Sequence, residues 1–346
     1  MQQLYCNQIQ RVSINAGPRN EQLYEITREL LNPDLNYVNI RNACAALLNF
    51  FCGITGFDPE DKQNQEHCST AAGLAVSPYA AMSCITDMMR TRNFMMGIQD
   101  AILSRRQQYP RDPVLVFYAG TGPFASLLIP LTTVFTPDQL QMVLVDINPI
   151  STACVQRIVE DLALQPYVKA IETADATQYK IPEQYQPDIL LTETMKAGLL
   201  KEPQFTICAH LLPQCKKDPI LIPESIAVGL CISRNKNKEL SEKKSLASLI
   251  RLDRELFDQS LVAQDALKRI LEGVLVQLPD DLLDNQHKIV LETSIRIFRA
   301  HQLKHNESGL TIPVLLNSFL QECHPLSTWR FRYRISSEPY FEMSKE

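Results

Sequence analysis

A chain of 346 residues, 45% hydrophobic and 21% charged, is long enough for one large core or two ordinary ones. Its formal net charge of −5 and pI near 5.8 argue against a nucleic-acid binder, whose phosphate contacts need a concentrated basic surface. Ten cysteines without a C-x-x-C pair or zinc-like spacing argue against a metal site and read as reduced thiols of a cytoplasmic protein. No run approaches the length of a membrane span, and residues 1–14 lack the apolar centre of a secretory leader.

In chain order, Leu23, Ile26, Leu30 and Leu31 recur at helical spacing. A second apolar helix is expected over residues 40–51, broken by Gly53 and Gly56. A polar loop with Asp58, Pro59 and Glu60 then runs to about Thr70. Residues 1–76 thus read as a helical cap. Ser77-Pro78 reads as an N-cap followed by proline at the first helical position, opening a helical approach over 77–108. Met88, Met89, Met95 and Met96 on it read as core packing.

The central stretch is 114–202. An apolar run, 114–118, ends in Gly120-Thr121-Gly122, and a helical pattern with Phe124, Leu127 and Leu128 on one side follows. A second apolar run, 142–145, ends in Asp146. Strand, glycine turn, helix, strand, acid is a nucleoside-binding pattern. Glycines let backbone approach a ligand at a helix N-terminus, and the acid can hold a ribose hydroxyl pair. A dinucleotide fingerprint would carry a third glycine where Ala125 stands. Asp175-Ala176 follows a third short strand, and Asp188 opens a fourth. At this spacing the unit resembles the class I S-adenosylmethionine (SAM) methyltransferases. The resemblance implies an α/β, Rossmann-like core with SAM as cofactor. The glycine turn would lie under its methionine part, Asp146 on the ribose, and Asp175 and Ala176 beside the adenine. The usual D/E-x-G-x-G-x-G is incomplete: its acid and first glycine are Val116 and Tyr118 here.

A narrower resemblance rests on two segments. Asp87-x-x-Arg90-Thr91, followed by Phe94 and Ala101-Ile102, is similar to the segment before the glycine turn in protein arginine methyltransferases. It implies that Arg90, with Asp87 and Thr91 in the same motif, serves the cofactor carboxylate; a guanidinium fork suits a carboxylate. Taken alone, the same residues describe a solvated arginine on an amphipathic helix. The second segment, DILLTETMKAGLLKE, has the frame of that family's double-glutamate loop: a strand, Thr-Glu, eight residues, then Glu. Glu193 and Glu202 take the two acid positions. Thr194 replaces an aromatic, and Met195-Lys196-Ala197 replaces Met-Gly-Tyr. The chemistry needs two acids. Guanidinium is planar, always charged and a poor nucleophile. Two carboxylates can grip it, localise its charge and aim one nitrogen, and one of them can take the released proton.

Further on, DPILIPESIAVGLCISR resembles the family's entry into a β-rich domain, with Ile226, Val228 and Leu230 alternating. Residues 240–275 read as helical, with Leu246, Leu249 and Ile250 on one face; the resemblance places a dimerisation arm near here, so a homodimer is expected. Ile289, Leu291, Ile295 and Ile297 alternate with Glu292, Ser294 and Arg296 as a half-exposed strand. Trp329, Phe331, Tyr333 and Ile335 alternate with Arg330, Arg332 and Arg334, which read as the outer face of a sheet. The family's Thr-His-Trp loop is echoed only by Ser327-Thr328-Trp329, with His324 nearby, which points away from a histone tail. The expected organisation is a helical cap (1–76), a SAM-binding core (77–215) and a β-rich domain (216–346) with a helical insertion. The expected reaction is N-methylation of the guanidinium of arginine, free or in a small molecule or peptide. Alternatives are methylation of another N, O or C acceptor, or an inactive SAM-binding scaffold.

Overall fold

The structure, a computed structural model, describes residues 17–34, 36–236, 239–258, 264, 268, 270–279, 287–316 and 326–346. Among the described residues two α-helices form the cap, α1 (Pro18–Leu31) and α2 (Tyr37–Thr55). Pro18 sits in the first turn of α1, the Asn36 side chain caps α2, and Gly56 ends it in the left-handed conformation at φ 64°. Gly53, expected to break the helix, lies inside it. The cap continues through a short hairpin, β1 (Cys68–Ser69) and β2 (Leu74–Ala75).

The approach segment is two helices, α3 (Pro78–Ser83) and α4 (Met88–Gln108). The Ser77 hydroxyl accepts from the Ala80 N–H as expected, and a second cap, Asp87, accepts from the Arg90 N–H to start α4. Next come β3 (Val114–Ala119), β4 (Leu140–Asp146), α5 (Pro149–Asp161), β5 (Val168–Thr173), β6 (Ile189–Thr192), α6 (Gln204–Leu211) and β7 (Ile220–Ile222). The five strands make one parallel sheet in the order β5-β4-β3-β6-β7. Strand order reverses between β3 and β6, so their carboxyl ends open the crevice where α/β sheets bind ligands. The sheet includes Ile220–Ile222, beyond the boundary expected at 215.

The helix expected after the glycine turn is absent. Residues 122–128 are turns and Ile129–Thr133 is a short 3-10 helix. Pro123 and Pro130 lack N–H donors, and Ala125 stands at φ 42°. Phe124, Leu127 and Leu128 are buried all the same. Their spacing marks a core segment rather than a helix. Phe124 stacks on Phe51 of α2 and meets Phe57 edge-on, so the cap and the glycine turn share one core.

The C-terminal region is antiparallel. Its strands are β8 (Ser225–Lys236), β9 (Glu239–Asp253), β10 (Val274–Gln277), β11 (His287–Phe298), β12 (His301–Leu303), β13 (Val314–Leu315), β14 (Thr328–Arg334) and β15 (Tyr340–Lys345). They form a five-stranded sheet around β12-β11-β8-β9 and a three-stranded sheet β10-β14-β15. The helical reading of 240–275 fails over β9. Ile250 pairs with Val228 and Ser248 with Gly229, which leaves Leu249 as an extra residue; Ala247 and Ser245 likewise bracket Leu246. Each extra residue shifts the alternation by one and gives the apolar positions a helix-like spacing. Residues 264, 268 and 270–272 are helical, while 259–263, 265–267 and 269 lie outside the described residues. So do residues 1–14 and His324. The three arginines of β14 face acids of β15 and of the residue after it: Arg330 pairs with Glu346, Arg332 with Glu342 and Glu346, and Arg334 with Glu342.

Candidate active site

One cavity of about 680 Å³ opens at the carboxyl ends of β3, β4 and β6, a size suited to a small-molecule site. All eleven residues expected at the site line it: Asp87 at the cap of α4 with Arg90 and Thr91 in its first turn, Gly120, Thr121 and Gly122 after β3, and Asp146 at the end of β4. Asp175 and Ala176 follow β5, and Glu193 and Glu202 belong to the loop after β6.

The two motifs expected to serve different partners meet each other. The Arg90 guanidinium pairs with the Glu193 carboxylate; Glu193 is buried and Arg90 largely covered, their side chains 1% and 13% exposed. Neither Glu193 oxygen nor the Arg90 Nε has a hydrogen bond of normal geometry. Asp87 instead braces the fold. One oxygen caps α4, and the other accepts from the Ser308 hydroxyl at 2.7 Å and the Gly309 N–H at 2.9 Å. The Thr91 hydroxyl donates to the Ile85 carbonyl at 3.0 Å.

The glycine turn departs from expectation. Its amides serve β4: Gly120 N–H donates to the Val145 carbonyl at 2.8 Å, and Gly122 N–H to Asp146 Oδ2 at 2.8 Å. A Cβ on Gly120 would lie 2.3 Å from the Thr194 γ-methyl, and one on Gly122 would lie 3.0 Å from the Ala81 Cβ. The glycines therefore admit the chain's own side chains, and no helix N-terminus stands here to favour an anion. Asp146 also accepts from the Asn148 N–H at 2.9 Å. Burial pushes its carboxyl above the usual range, and these two amides pull it back. Asp175 accepts from Thr177 and Gln178. Burial raises the Tyr118 phenol; Arg90 opposes that rise, while Asp146 and Cys84 add to it.

Glu202 is an acid of strongly raised proton affinity. Burial pushes it from 4.5 up to about 7, with Lys196 and then Arg90 opposing. Its loop is strained, with Gly198, Leu199 and Lys201 at φ 74°, 55° and 68°. Residues that sequence reasoning missed hold it. The Thr293 hydroxyl accepts from the Gly198 N–H, the Tyr333 hydroxyl donates to the Leu199 carbonyl, and the Pro339 carbonyl accepts from the Lys201 N–H, each at 2.7 Å. From the cap, the Leu74 N–H donates to the Lys201 carbonyl at 2.7 Å. Gln204, 1% exposed, bonds the Thr194 N–H and the Thr192 carbonyl and so fixes the Glu193 end. None of these has a local signature, because each contact joins segments far apart in sequence or depends on the loop's own conformation. Among the described residues, no group of three or more His, Cys, Asp or Glu side chains could hold a metal ion.

No protein-family model and no curated protein matches the chain. Among solved structures, the Trypanosoma brucei PRMT1 enzyme-prozyme heterotetrameric complex with AdoHcy is similar to it, with 13% identity and a TM-score of 0.47. The similarity covers 77% of this chain and 97% of that one.

Proposed function

We propose that the chain is a SAM-dependent N-methyltransferase acting on the guanidinium of an arginine-bearing small acceptor. The observation that carries this reading is the lining of one cavity by two buried loop acids, Glu193 and Glu202, together with Arg90 and Asp146. The donor set fits the cofactor. Arg90 has an unpartnered Nε and a fork suited to a carboxylate, and each oxygen of Asp146 keeps a lone pair beyond its amide bond. Asp175 and Ala176 would border the base. When bound, the cofactor supplies a methyl group on a sulfonium.

The chain's own residues do the rest. Glu193 and Glu202 grip the guanidinium and orient one nitrogen. That nitrogen must release a proton, and Glu202, with a pKa of about 7, can accept it near neutral pH. The cap hairpin, tied to the glutamate loop at Leu74, limits the access of water. A homodimer in the cytoplasm belongs to the same reading; no helix among the described residues is long and apolar enough to cross a membrane.

A second reading, a SAM-binding scaffold without transfer, is favoured by the Arg90–Glu193 pair, which engages the acid that an acceptor needs. One experiment separates the two. Protein is incubated with methyl-labelled SAM and arginine, an arginine peptide or a metabolite extract, beside Glu193→Gln. Label in methylarginine that the variant abolishes supports transfer. SAM binding by calorimetry without any transfer favours the scaffold. Label entering another acceptor regardless of Glu193 overturns the guanidinium reading.

A further inference from the structure

Lys196 lies between the two acids in sequence, lines the same cavity and is exposed into it. Among the described residues it has no ion-pair partner, whereas its neighbour Lys201 faces Glu338 at 3.5 Å. Its charge reaches Glu202, whose proton affinity it lowers more than Arg90 does. An ammonium beside a cation-binding pair of carboxylates is a problem in electrostatics. It repels the guanidinium that the acids attract. The arrangement suits an acceptor only if that acceptor brings an anion of its own. A second donor lines the same cavity: His67 accepts the Ser77 N–H on Nδ1 at 2.9 Å, which leaves Nε2 as the protonated nitrogen. Both groups donate, and both are exposed.

We infer that the acceptor carries a free carboxylate on the same residue as its guanidinium, and that Lys196 receives it. This rests on the guanidinium reading above and narrows it. An internal arginine of a protein chain has no such carboxylate, so Lys196 selects against it as well as for the free amino acid.

The test compares arginine, arginine amide and agmatine as acceptors for the wild type, Lys196→Met and Lys196→Glu. Lys196 is exposed, so both variants are expected to fold. Calorimetric titration of each guanidine into protein loaded with S-adenosylhomocysteine gives a readout independent of turnover. The wild type should prefer arginine over its amide by about tenfold or more, the size of one charge-assisted hydrogen bond. Lys196→Met should erase that ratio, mainly through KM, and Lys196→Glu should invert it. An unchanged ratio, or an equal loss on all three acceptors, means that Lys196 acts only through Glu202 and overturns the inference. S-adenosylhomocysteine binding without binding of any guanidine overturns the inference and the acceptor reading together. Failure to bind S-adenosylhomocysteine overturns the cofactor reading instead.

Discussion

Arg90→Met removes the one charge paired with Glu193 among the described residues. The two side chains are 13% and 1% exposed, so solvent screens the pair little. Breaking a buried ion pair by deleting one partner costs about 3–5 kcal/mol, because the remaining charge stays buried and alone. Replacing both members with neutral side chains of similar volume is close to neutral. In a chain of this size each kcal/mol moves the melting temperature by about 2 °C. Arg90→Met should therefore melt about 6–10 °C below the wild type at neutral pH. The double variant Arg90→Met/Glu193→Gln should recover most of that loss. The deficit of the single variant should shrink on acidification, since protonation relieves a buried carboxylate that lacks a cation. Differential scanning calorimetry of all four proteins at pH 5 and pH 8 measures the cycle. A coupling below about 0.5 kcal/mol would sink the reasoning, because it would mean that the two groups act independently.

Three further outcomes are expected. Glu202 rises from 4.5 in the unfolded chain to about 7 when folded, so its contribution is fully present below pH 4.5 and is lost as pH climbs through 7, by up to about 3 kcal/mol. Urea unfolding should show the wild type weakening between pH 5 and pH 8 and Glu202→Gln much less; parallel curves would refute the assignment. Gly120→Ala should destabilise by about 1–2 kcal/mol for its positive φ and by about 1–3 kcal/mol more for the clash with the Thr194 methyl. Adding Thr194→Ser removes that methyl and should recover only the second part, as denaturant titration would reveal. Tyr333→Phe leaves the buried Leu199 carbonyl without its donor, a loss of about 1–3 kcal/mol. Hydrogen exchange at Gly198 and Leu199 should quicken, and unchanged exchange would show that the loop does not depend on that bond.

What was legible in the sequence depended on how local its cause is. β3, β4 and β6 announce themselves as apolar runs because the sheet is buried on both faces there, and Asp146 and Glu193 follow from where the β4 and β6 runs end. Ser77 and Pro78 mark a helix start that depends on their own chemistry alone. The failures share a different cause. The glycine turn has the expected residues, yet its space is filled by Thr194 and Ala81, which are distant in sequence. The helix-like spacing of Leu246, Leu249 and Ile250 arises from two bulges against β8, a property of the pair of strands rather than of either one. Arg90 and Glu193 were each legible, but their mutual pairing was not, since each motif pointed to a different ligand.

The strained glutamate loop explains why the core needs its two flanking regions. Three residues within four, Gly198, Leu199 and Lys201, stand in the left-handed region, a conformation that costs free energy for the two that are not glycine. That strain persists only where neighbours over-determine the backbone. Four hydrogen bonds of 2.7 Å do so, from Thr293, Tyr333 and Pro339 on the C-terminal side and Leu74 in the cap. Glu202 stands directly after the strained stretch, where its carboxyl is buried and its proton affinity raised. The parallel sheet alone would bring Glu193 to the cavity but would leave Glu202 on an unsupported turn. Placing the second acid thus depends on the β-rich region and the cap together, and under the proposed function their packing shapes the acceptor site.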